Sequence, residues 1–413
     1  MGGLISATPH PRRALVFWTA TGLIGAETIL FTMVVPALPE FADRFGFSAS
    51  VAALIFAAFP LGQLCSALAA AGWVDRFGRR PVMILAVVML ATATLAFAFA
   101  TGTWMLAGAR LAQGVATGLV WTAGIAAISD VFPVGELGFR IGLAETAGGA
   151  LGLLGPFLGG ALVDAVGTTT TFGLAAILPG LALVPVVALP ETRSGPADAT
   201  RLVPALRRLA AEPKARVAFA SLGGVAAVLA LIEPLLPLDL ADRLGLSSLP
   251  IGLVFGTGLL AYFALVPVAG RWSDRRGRRG PLVLGAVVIA IGLPFLAVGP
   301  AVSVAVAFAV VGAGMAALGT PSGPLMVEAV TDAGMAGRHG LSAAMLTVIF
   351  SIGYVAGPLF GALASTTIPF QAIVAIAAAG SLALAVWLSR ALPGEHSTGG
   401  GLAAGPRGTD DGR

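Results

Sequence analysis

The chain contains the same landmarks twice, separated by about half its length. DRFGRR starts at residue 75 and DRRGRR starts at residue 274, each between two apolar stretches. LPEFADRFGFS at 38–48 returns in the same way as LPLDLADRLGLS at 236–247. Repeats indicate an architecture built from related units, so they limit the possible folds more than any local pattern does. The sequence therefore predicts two structurally similar halves within 413 residues.

The composition predicts that both halves lie in a membrane. Hydrophobic residues make up 57% of the chain and charged residues 11%, whereas a soluble domain has roughly 25% charged residues. Three histidines and one cysteine, Cys65, offer little for histidine chemistry, a disulfide framework or a thiolate metal site. The basic side chains lie in short loops between apolar runs, which suits an anionic lipid surface better than nucleic acid. We therefore expect the lipid bilayer as a partner, and neither an enzyme nor a nucleic-acid-binding protein.

The apolar runs predict an all-α membrane protein with twelve transmembrane helices in two six-helix bundles. A helix needs ~20 apolar residues to cross the bilayer core. In the first half the runs fall at 14–38, 49–71, 81–100, 103–129, 140–164 and 169–190. In the second half they fall at 216–238, 249–271, 281–298, 301–328, 338–364 and 369–391.

These runs divide the chain into four parts. We expect a first bundle at 1–190, a cytoplasmic linker at 191–215, a second bundle at 216–391 and a disordered cytoplasmic tail at 392–413. Within the linker, 200–212 is either a short amphipathic helix at the headgroup level or a flexible tether.

The distribution of positive charge predicts the orientation. If the termini and the loops after even-numbered runs share one side, that side holds all but three of the 24 Arg and Lys residues. Arg44 and Arg243 lie on the other side, and Arg110 lies inside a run. Since cytoplasmic loops are enriched in Lys and Arg, both termini are expected in the cytoplasm. The Arg-, Ala- and Gly-rich composition favours a bacterial inner membrane, and we expect a multi-pass monomer there.

The repeated loops carry a family resemblance. In the second half, Gly-x-x-x-Asp-Arg-x-Gly-Arg-Arg is complete, and in the first half Ala71 stands in the place of the first glycine. Over about 14–391 the chain resembles the major facilitator superfamily, in which two bundles alternate access to a central site. The matching residues are Asp75, Arg76, Gly78, Arg79 and Arg80, and Gly270, Asp274, Arg275, Gly277, Arg278 and Arg279.

The loop chemistry predicts a cytoplasmic gate. A central glycine permits a tight turn between two helices, and the aspartate can accept hydrogen bonds from the free N–H groups at a helix start. The arginines can pair with acids on neighbouring helices, for which Asp130 and Glu328 are the candidates. Such a cluster would latch the closed cytoplasmic gate. The alternative is that the arginines only set the orientation.

The fifth run carries a second motif. Gly155, Pro156, Gly159 and Gly160 resemble the Gly-Pro-x-x-Gly-Gly motif of the drug/proton antiporter branch. Small residues at this spacing allow close helix approach, and proline permits a kink. The eleventh run partly repeats the pattern, so part of it belongs to the scaffold. The resemblance favours efflux over uptake.

Four charges inside the runs have no counterpart in the other half. They are Glu27, Arg110, Glu145 and Glu233. A charge at the bilayer centre costs at least ~2.5–3.5 kcal/mol, so an unrepeated one is a candidate for transport and not for scaffold. Glu233 is either a substrate or proton group or an acid that reaches outer water. Glu145 either takes part in transport or joins the cytoplasmic charge cluster.

Glu27 is the strongest candidate for carrying a proton. Burial of a carboxyl group in an apolar helix favours its neutral form, which lets it exchange a proton near neutrality. Arg110 and Gln113 resemble the Arg-x-x-Gln-Gly motif of span four, which in the family is linked with proton transfer near span one. The alternative is that Glu27 and Arg110 form a static buried ion pair.

The resemblance places a substrate cavity between the halves. Its candidate lining residues are Thr28, Phe31, Trp121, Tyr262, Phe263, Phe350 and Tyr354. An aromatic cavity with one or two acids suits a lipophilic small molecule, including a cationic one. We therefore expect a proton-driven exporter that uses the proton gradient and no cofactor.

The alternative is a carrier, proton-coupled or facilitative, for a specific metabolite such as an organic acid, a nucleoside or an amino-acid-like compound. An unpaired Arg110 in the cavity would favour this alternative, because it would attract an anionic substrate.

Overall fold

The computed structural model describes residues 12–192, 202–335 and 339–392, and every regular element in these ranges is a helix. The first half contains α1 Arg13–Phe45, α2 Ala49–Phe77, α3 Arg79–Ala98, α4 Thr103–Val131, α5 Val134–Leu151, α6 Leu154–Ala175 and α7 Ile177–Val187. A short linker helix follows, α8 Leu202–Leu209. The second half contains α9 Pro213–Leu244, α10 Ser248–Arg276, α11 Arg279–Gly292, α12 Ala301–Gly319, α13 Ser322–Asp332, α14 His339–Ala364 and α15 Phe370–Ala391, with a 3-10 turn at Leu293–Ala297.

Equivalent glycines end equivalent helices in the two halves. Gly46 and Gly245 adopt left-handed conformations at the ends of α1 and α9, with φ of 65° and 62°. Gly78 and Gly277, at the centres of the repeated loops, have φ of 96° and 80°. Residues with a side chain rarely adopt such backbone angles, so the tight turns require glycine there.

Some predicted runs are broken into shorter helices. The fifth run, predicted at 140–164, is interrupted between α5 and α6, and the tenth, predicted at 301–328, is interrupted between α12 and α13. Several helices also continue beyond their apolar run, for example α1 to Phe45 and α2 to Phe77. These ends are polar, so hydropathy alone marked the membrane core and missed the extensions.

Eleven segments of the described residues are long and apolar enough to cross a membrane. One of them, 135–187, has 53 residues. A straight helix of that length would measure about 80 Å, far more than the ~30 Å bilayer core. Within it Gly167 has non-helical angles, φ 76° and ψ 165°, so the segment is not one straight helix.

Contacts with α1 trace the path of this long segment. Its beginning follows α1 in the same direction, because Gly148 packs against Ile24 and Gly159 against Met33. After Gly167 the direction reverses. Thr169 accepts a hydrogen bond from Arg44 at the end of α1 (3.1 Å), and the carbonyl of Ala188 accepts one from Arg12 at its beginning (3.4 Å). The segment therefore runs the length of α1 twice.

Corresponding helices pack against one another in both halves. The pair α2–α4 corresponds to α10–α12, and α3–α4 corresponds to α11–α12. A Cβ on Gly114 would overlap the backbone of Phe59, and one on the equivalent Gly312 would overlap that of Gly258. Between the halves, α2 packs on α14 and α6 packs on α10.

The linker between the halves contains the short helix that was one of two expectations for 200–212. It is α8, whose Leu209 is buried and whose Arg207 and Arg208 are exposed. The second half begins at Pro213, three residues before the predicted boundary at 216. The tail beyond residue 392, where disorder is expected, lies outside the described residues.

Candidate functional site

In the first repeated loop, Arg79 pairs with Asp130, the acid that the sequence suggested as its partner. Arg79 Nε lies 2.7 Å from Asp130 Oδ2, and Arg79 Nη1 lies 3.3 Å from Asp75 Oδ1. The side chains of Arg79 and Asp130 are 7% and 10% exposed, so this pair is largely shielded from water. Arg76 instead places its guanidinium over the ring of Phe77, 5.2 Å from the centroid.

The second repeated loop belongs to a wider and more exposed cluster of ion pairs. Arg278 pairs with Glu328, and Lys214 Nζ lies 3.2 Å from Glu328 and 2.9 Å from Asp332. The exposed loop residues Asp274, Arg275 and Arg279 form no ion pair with the part of the chain that is described. Both clusters join helices of a single half, so these pairs do not themselves bridge the two halves.

The helix start beside the first loop is capped by a residue that the sequence did not single out. The carboxylate of Glu191 accepts hydrogen bonds from the backbone N–H groups of Arg79 (2.9 Å) and Arg80 (3.2 Å) at the start of α3. This role had been expected of Asp75, which instead pairs with the Arg79 side chain. The sequence feature that could have indicated this capping role is that Glu191 directly follows the last apolar run of the first half.

Glu27 lies in the middle of α1 and is 5% exposed. Its carboxylate accepts hydrogen bonds from Trp121 Nε1 (2.7 Å), Thr117 Oγ1 (3.1 Å) and Thr28 Oγ1 (3.1 Å). Within the described residues no Arg110 nitrogen lies at ion-pair distance from it. The static Glu27–Arg110 pair considered from the sequence is therefore not formed here.

Arg110 lies in α4 and is 0% exposed. Its Nη1 donates to Gln113 Oε1 (3.2 Å), and Gln113 Nε2 donates to Thr94 Oγ1 (3.2 Å). Its Nε and Nη2 have no hydrogen-bond partner within the described chain. Three rings surround the guanidinium at centroid distances of 4.6 to 5.2 Å, and such faces attract a cation. They belong to Phe31, Phe56 and Phe59.

Glu233 is the buried acid of the second half, 4% exposed in α9. Tyr354 of α14 donates a hydrogen bond of 2.6 Å to its Oε1, while its Oε2 has no partner among the described residues. The Tyr354 ring stacks on Phe350, with centroids 5.1 Å apart, and lies 5.8 Å from Phe31 of the first half. Through Tyr354 and Phe31, Glu233 is thus linked to the rings that enclose Arg110.

Five of the seven predicted cavity residues surround these charges. Tyr262 and Phe263 lie elsewhere on α10, with ring centroids 5.2 Å apart, and Phe263 faces Gly149 of α5. Glu145 lies one turn from Gly149, is exposed, and has no hydrogen bond or ion pair within the described ranges. Among the described residues it therefore makes no ion pair with the cytoplasmic cluster. The five that lie near the charges are Thr28, Phe31, Trp121, Phe350 and Tyr354.

The glycine motif of the fifth run packs on both neighbours at once. Gly155 and Gly159 approach the α1 backbone at Ile29 and Met33. On its other side Gly160 approaches Ser248, and the Pro156 carbonyl faces Gly252 of α10 in the second half. A side chain at any of these glycines would collide with backbone, so the motif allows three helices to meet closely.

An acid next to this motif joins the two halves. Asp164 accepts hydrogen bonds from the backbone N–H groups of Ser248 and Leu249, both at 2.9 Å, and from Ser247 Oγ at 2.7 Å. It thus caps the start of α10 from the opposite half. The sequence contained no sign of this role beyond the position of Asp164 at the end of the fifth apolar run. On the other flank Ser50 Oγ donates to the carbonyl of Ala362 (2.6 Å). Both contacts lie at the end of the protein that is remote from the repeated loops.

Two related helical halves thus surround a buried set of charges. This arrangement is typical of membrane transporters that are built from two helix bundles. The Major Facilitator Superfamily model matches residues 21–238 and 217–410. The protein belongs to the Major Facilitator Superfamily, whose members are transporters and not enzymes.

Similar proteins share most of their length with this chain. A multi-drug resistance efflux pump PmrA homolog of Lactococcus lactis is 24% identical over 376 residues, covering 88% of this chain and 90% of its own. The MFS-type transporter ppzB of Metarhizium majus is 26% identical over 438 residues, covering 86% and 94%. The crystal structure of nucleoside transporter NupG superimposes with a TM-score of 0.72 at 11% identity, covering 92% and 99%.

Proposed function

We propose that the protein exports lipophilic small molecules, including cationic ones, in exchange for protons. The observation that carries this proposal is a pair of buried acids, Glu27 and Glu233, one from each half. Glu27 bonds to the helix that carries Arg110, and Glu233 bonds to Tyr354, whose ring lies beside the Phe31 ring that contacts Arg110. A carrier that couples a proton to a conformational change needs an acid whose charge acts on both halves. The efflux pump among the relatives supports the direction of transport.

The hydrogen bonds support different protonation states of the two acids. An ionised carboxylate only accepts hydrogen bonds, so the donors Trp121 and Thr117 suit the ionised form of Glu27. The single hydroxyl proton of Thr28 is shared between Glu27 and the carbonyl of Ile24 (2.7 Å). Glu233 has one donor, and its Oε2 is free to carry a proton. We propose that Glu27 takes a proton from outside and releases it inside. Loss of that proton changes the electric field at Arg110. Because Arg110 in turn acts on Glu233, the change reaches the second half.

We further propose twelve transmembrane helices, with both termini in the cytoplasm of a bacterial cell and the protein in the inner membrane. The segment 135–187 runs along α1 twice, so it counts as two crossings and raises eleven segments to twelve. The arginine-rich loops then lie on the cytoplasmic side. The bonds of Asp164 and Ser50 between the halves lie at the outer end, which suits a state that is closed to the outside.

A carrier for a specific anionic metabolite is the second candidate. It is favoured by the two guanidinium nitrogens of Arg110, Nε and Nη2, that have no hydrogen-bond partner among the described residues. Against it, three phenylalanine rings enclose the guanidinium, which is 0% exposed, so an anionic substrate has no access to it in this state. The fold similarity to a nucleoside transporter concerns the scaffold alone.

Transport into inverted vesicles tests the two candidates directly. Vesicles with an acidic interior should release protons when a lipophilic cation such as ethidium is added, and should accumulate the cation. Organic anions and nucleosides should have no effect. Proton release with an organic anion and none with lipophilic cations would favour the second candidate.

A further inference from the structure

A cavity of about 260 Å³ lies outside the central site, at the end of the second half that we propose to be cytoplasmic. It lies where α9 begins and α15 ends, two helices that form neighbouring walls of this half. Its lining residues are Pro213, Arg216, Trp387, Arg390 and Ala391.

Among the described residues, nothing neutralises the positive charge of this cavity. Arg216 and Arg390 are both exposed, and within the described ranges neither makes a hydrogen bond or ion pair. The neighbouring Lys214, by contrast, pairs with Glu328 and Asp332. The described residues that line the cavity include no acid. Two arginines that line one cavity without a partner in the described ranges indicate a site for an anion, and arginine binds phosphate groups bidentately.

An apolar strip leads from the cavity along the outside of α15. Val386 lies one turn before Arg390 and Leu382 one turn before Val386, so the three share a helix face. Val386 and Leu382 are 50% and 48% exposed, as side chains that face lipid are. Trp387, 40% exposed, lies between the apolar strip and the charged rim, the position that tryptophan prefers at a membrane–water interface.

The linker helix places this cavity at the depth of lipid headgroups. α8 precedes Pro213 by three residues, buries Leu209 in the core of the second half, and exposes Arg207 and Arg208. An amphipathic helix of this kind lies in the plane of the membrane surface. The cavity, the apolar strip and the helix thus match the headgroup, acyl-chain and surface levels of one lipid leaflet.

We propose that this cavity binds the headgroup of an anionic phospholipid of the cytoplasmic leaflet. Arg216 and Arg390 contact the phosphate, Trp387 packs at the level of the glycerol, and an acyl chain lies along Val386 and Leu382. The apolar strip favours a lipid over free phosphate, which would make no use of it. Basic pockets between transmembrane helices on the cytoplasmic side are suited to such headgroups.

Native mass spectrometry of the purified full-length protein in detergent tests this site. Phosphatidylglycerol and phosphatidylcholine with identical acyl chains are titrated separately. We expect phosphatidylglycerol to bind more tightly, and its affinity to fall about fivefold for Arg216→Gln or Arg390→Gln and about 25-fold for both. The double variant Arg216→Lys with Arg390→Lys, which keeps the charge, should retain most of the affinity.

The matched control is the double variant Arg207→Gln with Arg208→Gln, which removes the same charge from the same surface outside the cavity. It should bind phosphatidylglycerol as the unmodified chain does. An equal loss in both Gln doubles, or equal affinity for the two lipids, would overturn the proposal. Displacement of phosphatidylglycerol by millimolar inorganic phosphate would also overturn it, in favour of a soluble anion. Since binding is measured without transport, the result is independent of the proposed function.

Discussion

The hydroxyl group of Tyr354 donates a hydrogen bond of 2.6 Å to Oε1 of Glu233 and so connects α14 with α9. The Tyr354 ring lies 5.8 Å from Phe31, whose face is 5.0 Å from the guanidinium of Arg110. Two neighbouring rings, those of Tyr354 and Phe31, therefore connect the acid group of the second half with the buried cation of the first. Where water is excluded, charges act strongly over such distances, so a change in the charge of Glu233 would act on Arg110.

Glu27→Gln should abolish uphill export. Glutamine keeps the size of the side chain and its hydrogen bonding but cannot ionise, so no proton is carried. The membrane potential contributes ~2.3 kcal/mol per charge per 100 mV, and the loss of one coupled proton should remove most concentrating power. Downhill exchange should persist. The measurement is substrate accumulation in inverted vesicles with and without a pH gradient. Accumulation at the unmodified level would exclude Glu27, and Glu233→Gln would then be tested.

Trp121→Phe should weaken proton coupling more than binding. It removes the 2.7 Å hydrogen bond to Glu27 but keeps an aromatic ring, at a cost of roughly 1.5–3 kcal/mol for a bond to a charged group. The control is Trp104→Phe, because Trp104 is 90% exposed at the start of α4. We expect fewer protons per transported molecule in the first variant alone. Equal stoichiometry in both would show that Trp121 does not position Glu27.

Replacement of Arg79 should impair transport and stability while leaving substrate binding largely intact. Arg79→Gln leaves the shielded carboxylate of Asp130 without its 2.7 Å partner, and breaking such a buried pair costs ~3–5 kcal/mol. Asp75→Asn should also slow transport, but with less loss of stability, because this carboxylate is 31% exposed. Thermal unfolding and a transport assay measure the two effects.

Arg140→Gln provides the matched control for Arg79. It breaks an exposed pair with Glu136, and such pairs contribute at most about 1 kcal/mol. If Arg79→Gln bound substrate far more weakly and yet cycled normally at saturation, the gate assignment would be wrong.

Asp164→Ala should open the outer end of the protein. It removes three hydrogen bonds between the halves at the start of α10. With Cys65 replaced by serine and Ser248 replaced by cysteine, a membrane-impermeant maleimide added from outside should label the Asp164→Ala chain faster. Glu40→Ala is the control, since Glu40 accepts a bond from Thr168 of its own half (3.3 Å). Equal labelling rates in both variants would remove Asp164 from the outer closure.

The helical architecture was readable from sequence because its signals are periodic and repeated. The apolar runs predicted most helices to within a few residues, and the repeated loops predicted tight turns, which Gly78 and Gly277 form with positive φ. The partners of the loop arginines, Asp130 and Glu328, also followed from the repeat. The breaks in the fifth and tenth runs were missed because each is only two residues long, Gly152 and Leu153 in one and Thr320 and Pro321 in the other, and hydropathy averaged over a run does not register so short an interruption.

The sequence by itself determined that two related halves cross a membrane and that Glu27, Arg110 and Glu233 are buried where charge is costly. Only the tertiary structure decided what each of them contacts. Trp121 and Thr117 reach Glu27, three rings enclose Arg110, and Tyr354 bonds to Glu233 because of how each helix is rotated against its neighbours. Hydropathy records how apolar a segment is, and repetition records kinship between segments. The rotation of a helix depends on packing with residues far along the chain, which neither signal contains.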